Sequence, residues 1–184
     1  LIPGRAENLY SYVGFFENGI PVAGLSARRR RQHPMEFGRA STYVETVNLP
    51  ALEKLATQLL SGIAYTGLAE VEFMYDVKDG RFEFLEVNPR IWGWHTIAIR
   101  AGLDLPYLAY AHAAGKAAPV GSARENVKWV RLVTDVPTAA SEILSGRLTA
   151  GQYLKSMYGD IEDAGLPTRE LMPFLAALIF GPYH

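Results

Sequence analysis

Residues 67–95 read GLAEVEFMYDVKDGRFEFLEVNPRIWGWH. Ala69, Val71, Phe73 and Tyr75 alternate with Glu70, Glu72, Met74 and Asp76, and a second apolar-rich run follows Gly80, so the stretch predicts two strands joined by a turn. A loop at Lys78, Asp79 and Gly80, with Gly80 in the left-handed position, pairs Val77 with Arg81. Counting back from that pair, Met74 faces Phe84, Glu72 faces Glu86 and Glu70 faces Asn88. Like charges directly opposite on a sheet, with Cβ atoms about 5 Å apart, are destabilising unless something neutralises them. A divalent cation would.

The rest of the composition narrows what such a hairpin can serve. With 184 residues the chain can bury a sizeable core, and with a formal net charge of -1 no global field draws it to nucleic acid or to an anionic membrane. There is no cysteine, which removes disulfides, thiolate zinc sites and cysteine nucleophiles and fits a cytoplasmic protein. The longest apolar run, Phe174 to Phe180, is far short of the roughly 20 residues of a membrane span. The chain opens on LIPG from Leu1 rather than on Met, and the expectation is a portion of a longer polypeptide.

Leu9 to Phe16 and Ile20 to Arg31 flank a Glu17-Asn18-Gly19 turn and predict a first hairpin. Its returning strand ends in Arg28-Arg29-Arg30-Arg31, and an extended chain sends two of those side chains to each face. They form either a solvated, charge-protected strand edge or an anion-facing patch. Gln32 to Ser41, with Pro34 and Gly38, reads as a loop, and Thr42 to Val47 as a short strand. A helix follows, with Asn48 as its cap, Pro50 in the first turn, and Leu52, Leu55, Ala56, Leu59, Leu60 and Ile63 on one apolar face.

Pro89 closes the second strand of the acidic hairpin, since a proline cannot continue a central ladder. Thr96 to Ala101 predicts a helix ended by Gly102, and Asp104 and Pro106 open another that ends at Gly115. Lys116 to Glu125 is a connection, and Val127 to Thr134 reads as a strand. Thr149 and Gln152 form a capping-box pattern, and Leu171 to Phe180 predicts a final apolar helix. There is no internal repeat.

Three kinds of chemistry fit the hairpin. Glu72 and Glu86 can hold Mg²⁺ or Mn²⁺ with the side-chain oxygen of Asn88, which shares the strand face of Glu86. Such ions keep waters and bind substrate phosphates, which points to a nucleotide, and Arg90 would then face the phosphates or a developing negative charge. A glycosidase-like acid and base pair is the second arrangement, but it leaves Asn88 and Arg90 without a role. In the third, Glu70, Glu72, Glu83 and Glu86 only solvate a surface hairpin. Against it stand Met74 and Phe84, expected on the same face as the acids, and the amide and guanidinium beside them. Trp92 and Trp94 could shape an acceptor pocket or fill core, and His33, His95 and His112 are scattered.

The run VEFMYDVKDGRFEFLEVNPRIWG resembles the metal-binding hairpin of the ATP-grasp superfamily, in which an acidic residue on one strand and an E-x-N-x-R segment on the next bind the Mg²⁺ ions of ATP. Its form is most similar to the carbamoyl-phosphate-synthase-like and amino-acid-ligase branches. The resemblance implies Glu72, Glu86 and Asn88 as metal ligands and Arg90 on the γ-phosphate or an acylphosphate. LIPG, a hairpin and an Arg-rich strand resemble the region after the family's adenine-binding linker, where basic residues face the triphosphate. Arg28 and Arg30, or Arg29 and Arg31, would take that role. Biotin carboxylases, which the local sequence also resembles, place a glutamate just before the histidine, whereas here Trp94 precedes His95, which argues against a bicarbonate-dependent reaction.

These readings imply an α+β fold, a mixed, largely antiparallel sheet with flanking helices. Residues 1–115 are expected to be the C-terminal half of an ATP-grasp domain and 116–184 a strand-plus-helices extension packed on it. The implied function is that of an ADP-forming carboxylate–amine or carboxylate–thiol ligase using ATP with Mg²⁺ or Mn²⁺ to form an acylphosphate. A nucleotide-binding or scaffolding module without turnover is the alternative. The implied partners are a small-molecule carboxylate, amino acids included, the N-terminal portion of the same polypeptide, and a second copy as a homodimer, with neither nucleic acid nor membrane. Because the family's phosphate-binding lysine and glycine-rich loop are absent from these residues, the chain alone is expected to bind ATP weakly and turn nothing over.

Overall fold

The computed structural model describes residues 6–35 and 40–164. After a 3₁₀ turn at Ala6–Asn8 come β1 (Leu9–Glu17), β2 (Ile20–His33), β3 (Ala40–Val47), α1 (Pro50–Ser61), β4 (Gly67–Asp76) and β5 (Arg81–Asn88). They are followed by α2 (Thr96–Ala101), α3 (Leu105–Ala113), β6 (Lys128–Val130), α4 (Leu132–Leu144), α5 (Ala150–Ser156) and β7 (Ile161–Asp163). The strands form one seven-stranded sheet in the order β5-β4-β1-β2-β3-β6-β7, antiparallel throughout except for the β6–β7 pair. The expected α+β fold with a mixed, largely antiparallel sheet is what the chain adopts.

Period-two alternation gives the sheet two different faces. Tyr12 and Phe16 of β1 join Leu52, Ala56 and Leu60 of α1 and Ala69, Val71 and Phe73 of β4 in one buried cluster. Val13 and Phe15 point the other way, into a cluster with Leu25, Val44, Trp92, Trp94, Trp129 and the buried sides of α2 and α3. The first hairpin turns through Asn18 and Gly19, both at positive φ, the two-residue turn whose twist matches the strands. A Cβ on Gly19 would lie 2.1 Å from the Cα of Ser61, so the turn also packs against the end of α1.

The structure corrects several local expectations. Asp76 pairs with Arg81, so the acidic hairpin has a four-residue turn at Val77 to Gly80 rather than a three-residue loop, held by Lys78 N–H donating to Asp76 Oδ1 (2.8 Å) and Gly80 N–H to Asp76 O (2.8 Å). Met74 accordingly faces Glu83, and Phe84 faces Phe73 on the opposite side of the sheet. A bulge at Leu85 then restores the expected pairing, so Glu72 does face Glu86 and Glu70 does face Asn88.

Asn48 does not cap α1; Leu49 holds that position without a side-chain bond, while Asn48 donates to Glu125. On α1 the buried stripe is Leu52, Ala56 and Leu60, and Leu59 and Ile63 are exposed, Ile63 because the helix ends at Ser61. β2 runs on to His33, and β3 begins at Ala40.

The strand expected over Val127 to Thr134 stops at Val130. Arg131 donates its N–H to Thr42 O, and its own carbonyl accepts from Thr134 and Asp135, which starts α4. The turn is needed because Asp135, fully buried, accepts from both Arg31 Nε and Nη2 at 2.8 Å and from Thr42 Oγ1 at 2.8 Å. Asp104 and the Thr149–Gln152 capping box behave as the sequence predicts. The helix expected at Leu171 to Phe180 lies outside the described residues.

Candidate functional site

Residues on β1, β2, β4 and β5 place the acidic residues on one face. Ser11 of β1 stands beside Glu72, and Val13 beside Glu70, so both glutamates point to the side that carries the tryptophans. Across the hairpin, Glu86 and Asn88 share that face. A cleft of about 550 Å³ opens there, with Glu70, Glu72, Glu86 and Asn88 on one wall and Trp94, Trp129 and Arg131 among its other lining residues.

The polar groups of the cleft form a continuous network. Asn88 Nδ2 donates to Glu72 Oε1 and to Glu86 Oε1, each at 3.1 Å. Arg29 Nη2 donates to the other oxygen of Glu72 at 3.2 Å. Arg90, just past the strand end, donates through Nη2 to Asn88 Oδ1 and through Nη1 to Ile91 O, each at 3.2 Å. Glu70 is only 3% exposed and accepts from Ser11 Oγ at 3.1 Å.

Burial, and after it the charge of Glu72, pushes the Glu70 carboxyl up to about 7, against the pull of Arg29, Ser11 and Arg90. Glu72 is also raised, chiefly by burial, with Arg29 opposing and Glu86 reinforcing.

Of the four consecutive arginines, Arg29 lines the cleft. Arg28 lies on the other face, where it donates to Glu7 O and sits over the Tyr10 ring. Arg30 is the extra residue of a bulge in β2 and pairs with Glu45. That bulge reverses the alternation, so Arg31 does not follow Arg29 into the cleft. It is 6% exposed, paired with Asp135 and flanked by the Tyr43 and Tyr153 rings.

Trp92 is buried in the core, and among the described residues its Nε1–H has no hydrogen-bond partner, whereas Trp94 lines the cleft. His33 meets Thr138, His95 meets Trp92 O, and His112 packs on Phe15, all outside the cleft.

Sequence reasoning missed Arg131 and Trp129. Both follow the long connection after α3, and only the pairing of β6 with β3 brings them to the cleft. Sequence reasoning also missed Gln32, which accepts from Arg29 at 3.3 Å.

The donor set suits a hard divalent cation held together with phosphates. Among the described residues no group of three or more His, Cys, Asp or Glu side chains is placed to hold a metal ion by itself. Two opposed carboxylates and an amide oxygen on an open cleft are what an ion needs when waters and substrate phosphates fill its other positions. Three guanidinium groups, from Arg29, Arg90 and Arg131, line the same cleft and suit polyphosphate. No helix among the described residues is long and apolar enough to cross a membrane.

The fold and part of the sequence are shared with known proteins. The fold is similar to that of biotin carboxylase from Campylobacter jejuni (TM-score 0.56, 20% identity, 70% of this chain and 29% of that one). It is also similar to the phosphoribosylaminoimidazole carboxylase ATPase subunit of Aquifex aeolicus (TM-score 0.51, 17% identity, 66% and 38%). In sequence, the chain is 31% identical over 115 residues to acetyl-CoA carboxylase of Saccharomyces cerevisiae, covering 57% of this chain and 5% of that protein. It is 37% identical over 108 residues to urea amidolyase of the same organism, covering 58% and 6%. The chain thus spans about a twentieth of the length of these curated relatives. Residues 23–136, more than half of the chain, match the family described as ATP-grasp in the biosynthetic pathway with Ter operon, and the chain belongs to that family.

Proposed function

We propose that the chain forms the metal and triphosphate side of the ATP site in an ADP-forming ligase that activates a small-molecule carboxylate as an acylphosphate, for capture by an amine or thiol. The observation that carries this reading is the pairing of Glu72 with Glu86 across the hairpin, bridged by Asn88 at 3.1 Å to each. Glu72, Glu86 and Asn88 would hold Mg²⁺ or Mn²⁺. Bound Mg·ATP supplies the phosphoryl group that makes the carboxylate an acyl donor. Arg90, whose guanidinium engages only amide and carbonyl oxygens among the described residues, binds the transferred phosphoryl group and its developing charge. Arg29 faces the polyphosphate from β2. Trp94 and Trp129 exclude water from the acceptor side, and Arg131 orients an anionic group there. A preceding portion of the polypeptide covers the nucleotide from the other side, with residues 1–115 as the C-terminal half of the ATP-grasp domain and 116–184 as its extension.

The test is calorimetric titration of the whole protein with an ATP analogue, with and without Mg²⁺, followed by ADP release over a panel of carboxylates and amino acids. Metal-dependent binding that vanishes in Glu86→Gln, with ADP release on one carboxylate, is the expected result. Binding that ignores both the metal and Glu86 would leave the acids as mere surface groups.

A further inference from the structure

Both oxygens of Glu72, one oxygen of Glu86 and the amide oxygen of Asn88 already accept from a donor of the chain. Asn88 Nδ2 holds Glu72 Oε1 and Glu86 Oε1, and Arg90 Nη2 holds Asn88 Oδ1. Arg29 Nη2 holds Glu72 Oε2 at 3.2 Å, in a pair whose side chains are 14% and 11% exposed. Arg29 is in turn fixed by Gln32 Oε1 at 3.3 Å, and Gln32 Nε2 donates to Met35 O at 2.9 Å. The like charges of the hairpin are therefore balanced from within, chiefly by Arg29, before any cation arrives.

A cation that takes oxygens of Glu72, Glu86 and Asn88 displaces these donors. The Asn88 amide must make half a turn about Cβ–Cγ to present Oδ1, which frees Arg90. The cation's charge on Glu72 loosens Arg29 by like-charge repulsion and by competition for the carboxylate. Both freed guanidinium groups remain in the cleft. A bare metal ion gains Glu72 only by stranding Arg29, whereas a metal carrying a polyphosphate offers Arg29 a new anionic partner.

Resting on the nucleotide reading above, we infer that Arg29 is an exchange counterion: a positioning residue that holds Glu72 in the metal-free site, yields it to the cation, and moves to a phosphate oxygen. Arg29 thereby favours the loaded metal over the bare one, a coupling of the kind that links two ligands through one shared group.

The test compares the whole protein with its Arg29→Gln variant in two measurements. Mn²⁺ alone is followed through the free-ion electron paramagnetic resonance signal, and the magnesium complex of a non-hydrolysable ATP analogue is followed by calorimetry. The expected result has opposite signs. Arg29→Gln binds bare Mn²⁺ about tenfold tighter and the magnesium–nucleotide complex about tenfold weaker. A merely structural arginine would weaken both together, and that outcome, or no change in either, overturns the exchange. If Arg29→Gln loses its cooperative melt, Arg29→Lys decides by the same signs at smaller amplitude, because the ammonium keeps the charge but not the planar fork. A parent protein that binds neither metal nor nucleotide overturns the nucleotide reading and this inference with it. Binding by the parent with parallel losses in the variant overturns the exchange alone.

Discussion

Glu72 on β4 stands directly opposite Glu86 on β5, and a single amide, Nδ2 of Asn88, donates to one oxygen of each at 3.1 Å. One neutral donor thus bridges two carboxylates, of which Glu72 is paired with the Arg29 guanidinium and Glu86 has no ion pair among the described residues. Glu86→Gln removes one of the charges without changing the shape. The variant should be more stable than the parent by about 0.5 kcal/mol at pH 8, the scale of a cross-strand charge pair. Its melting temperature should stop responding to Mg²⁺. A variant that is less stable yet keeps the metal response would show that Glu86 is neither repelled nor a ligand.

Glu70 gives the pH dependence. Its carboxyl is raised from an ordinary 4.5 to about 7, mainly by burial and then by Glu72, so between those values the folded chain binds the proton that the unfolded chain releases. The associated stability is fully present below about pH 4.5 and is lost as the pH rises towards 7, an effect on the order of 3 kcal/mol. Glu72 is raised too and acts in the same direction. Denaturant midpoints taken from pH 5 to pH 8 should therefore fall, with a flatter profile in Glu70→Gln. Mg²⁺, which favours the charged acids, should also flatten the profile of the parent. A midpoint that rises with pH and is untouched by Glu70→Gln would sink this assignment.

The acidic face was legible in the sequence because two local errors cancel. A turn one residue longer than expected shifts the register by one, and the bulge at Leu85 shifts it back before the ladder reaches Glu86 and Glu72. Alternation and turn chemistry show that a hairpin is present, but neither locates a bulge. The arginine run shows the same limit from the other side, since the bulge at Arg30 sends Arg31 away from the face of Arg29, and four identical residues carry no signal of it. Likewise Val127 to Thr134 alternates well enough for a strand. Only the distant partner Arg31 explains why the chain coils at Leu132 and turns Asp135 inward.

That buried pair makes a strong stability prediction. Asp135 is fully buried and accepts two hydrogen bonds from Arg31 and one from Thr42, while Arg31 also donates to Ser156 Oγ at 3.0 Å at the end of α5. Asp135→Ala leaves the guanidinium buried without its anion, which should cost about 3 to 5 kcal/mol. Adding Arg31→Met to Asp135→Ala should recover part of that loss, because no charge is then stranded. The check is a double-mutant cycle in denaturant, and additive losses would show that the two groups do not depend on each other.

Arg131 separates nucleotide binding from acceptor chemistry. Its backbone N–H is committed to Thr42 O at 2.9 Å, but among the described residues its guanidinium makes no hydrogen bond or ion pair and lies exposed in the cleft beside Trp129. Arg131→Ala removes no side-chain hydrogen bond or ion pair among the described residues, so the melt should change by about 0.5 kcal/mol or less. If the guanidinium orients an anionic acceptor, magnesium–nucleotide affinity should stay within about threefold while acceptor-dependent ADP release falls about a hundredfold. Arg90→Ala should lower both if, as proposed, Arg90 binds the phosphates beside Asn88, whose Oδ1 it holds at 3.2 Å. Nucleotide calorimetry alongside coupled ADP release distinguishes the two. If Arg131→Ala instead weakens nucleotide binding as strongly as Arg90→Ala, Arg131 belongs to the triphosphate and the acceptor lies elsewhere in the cleft.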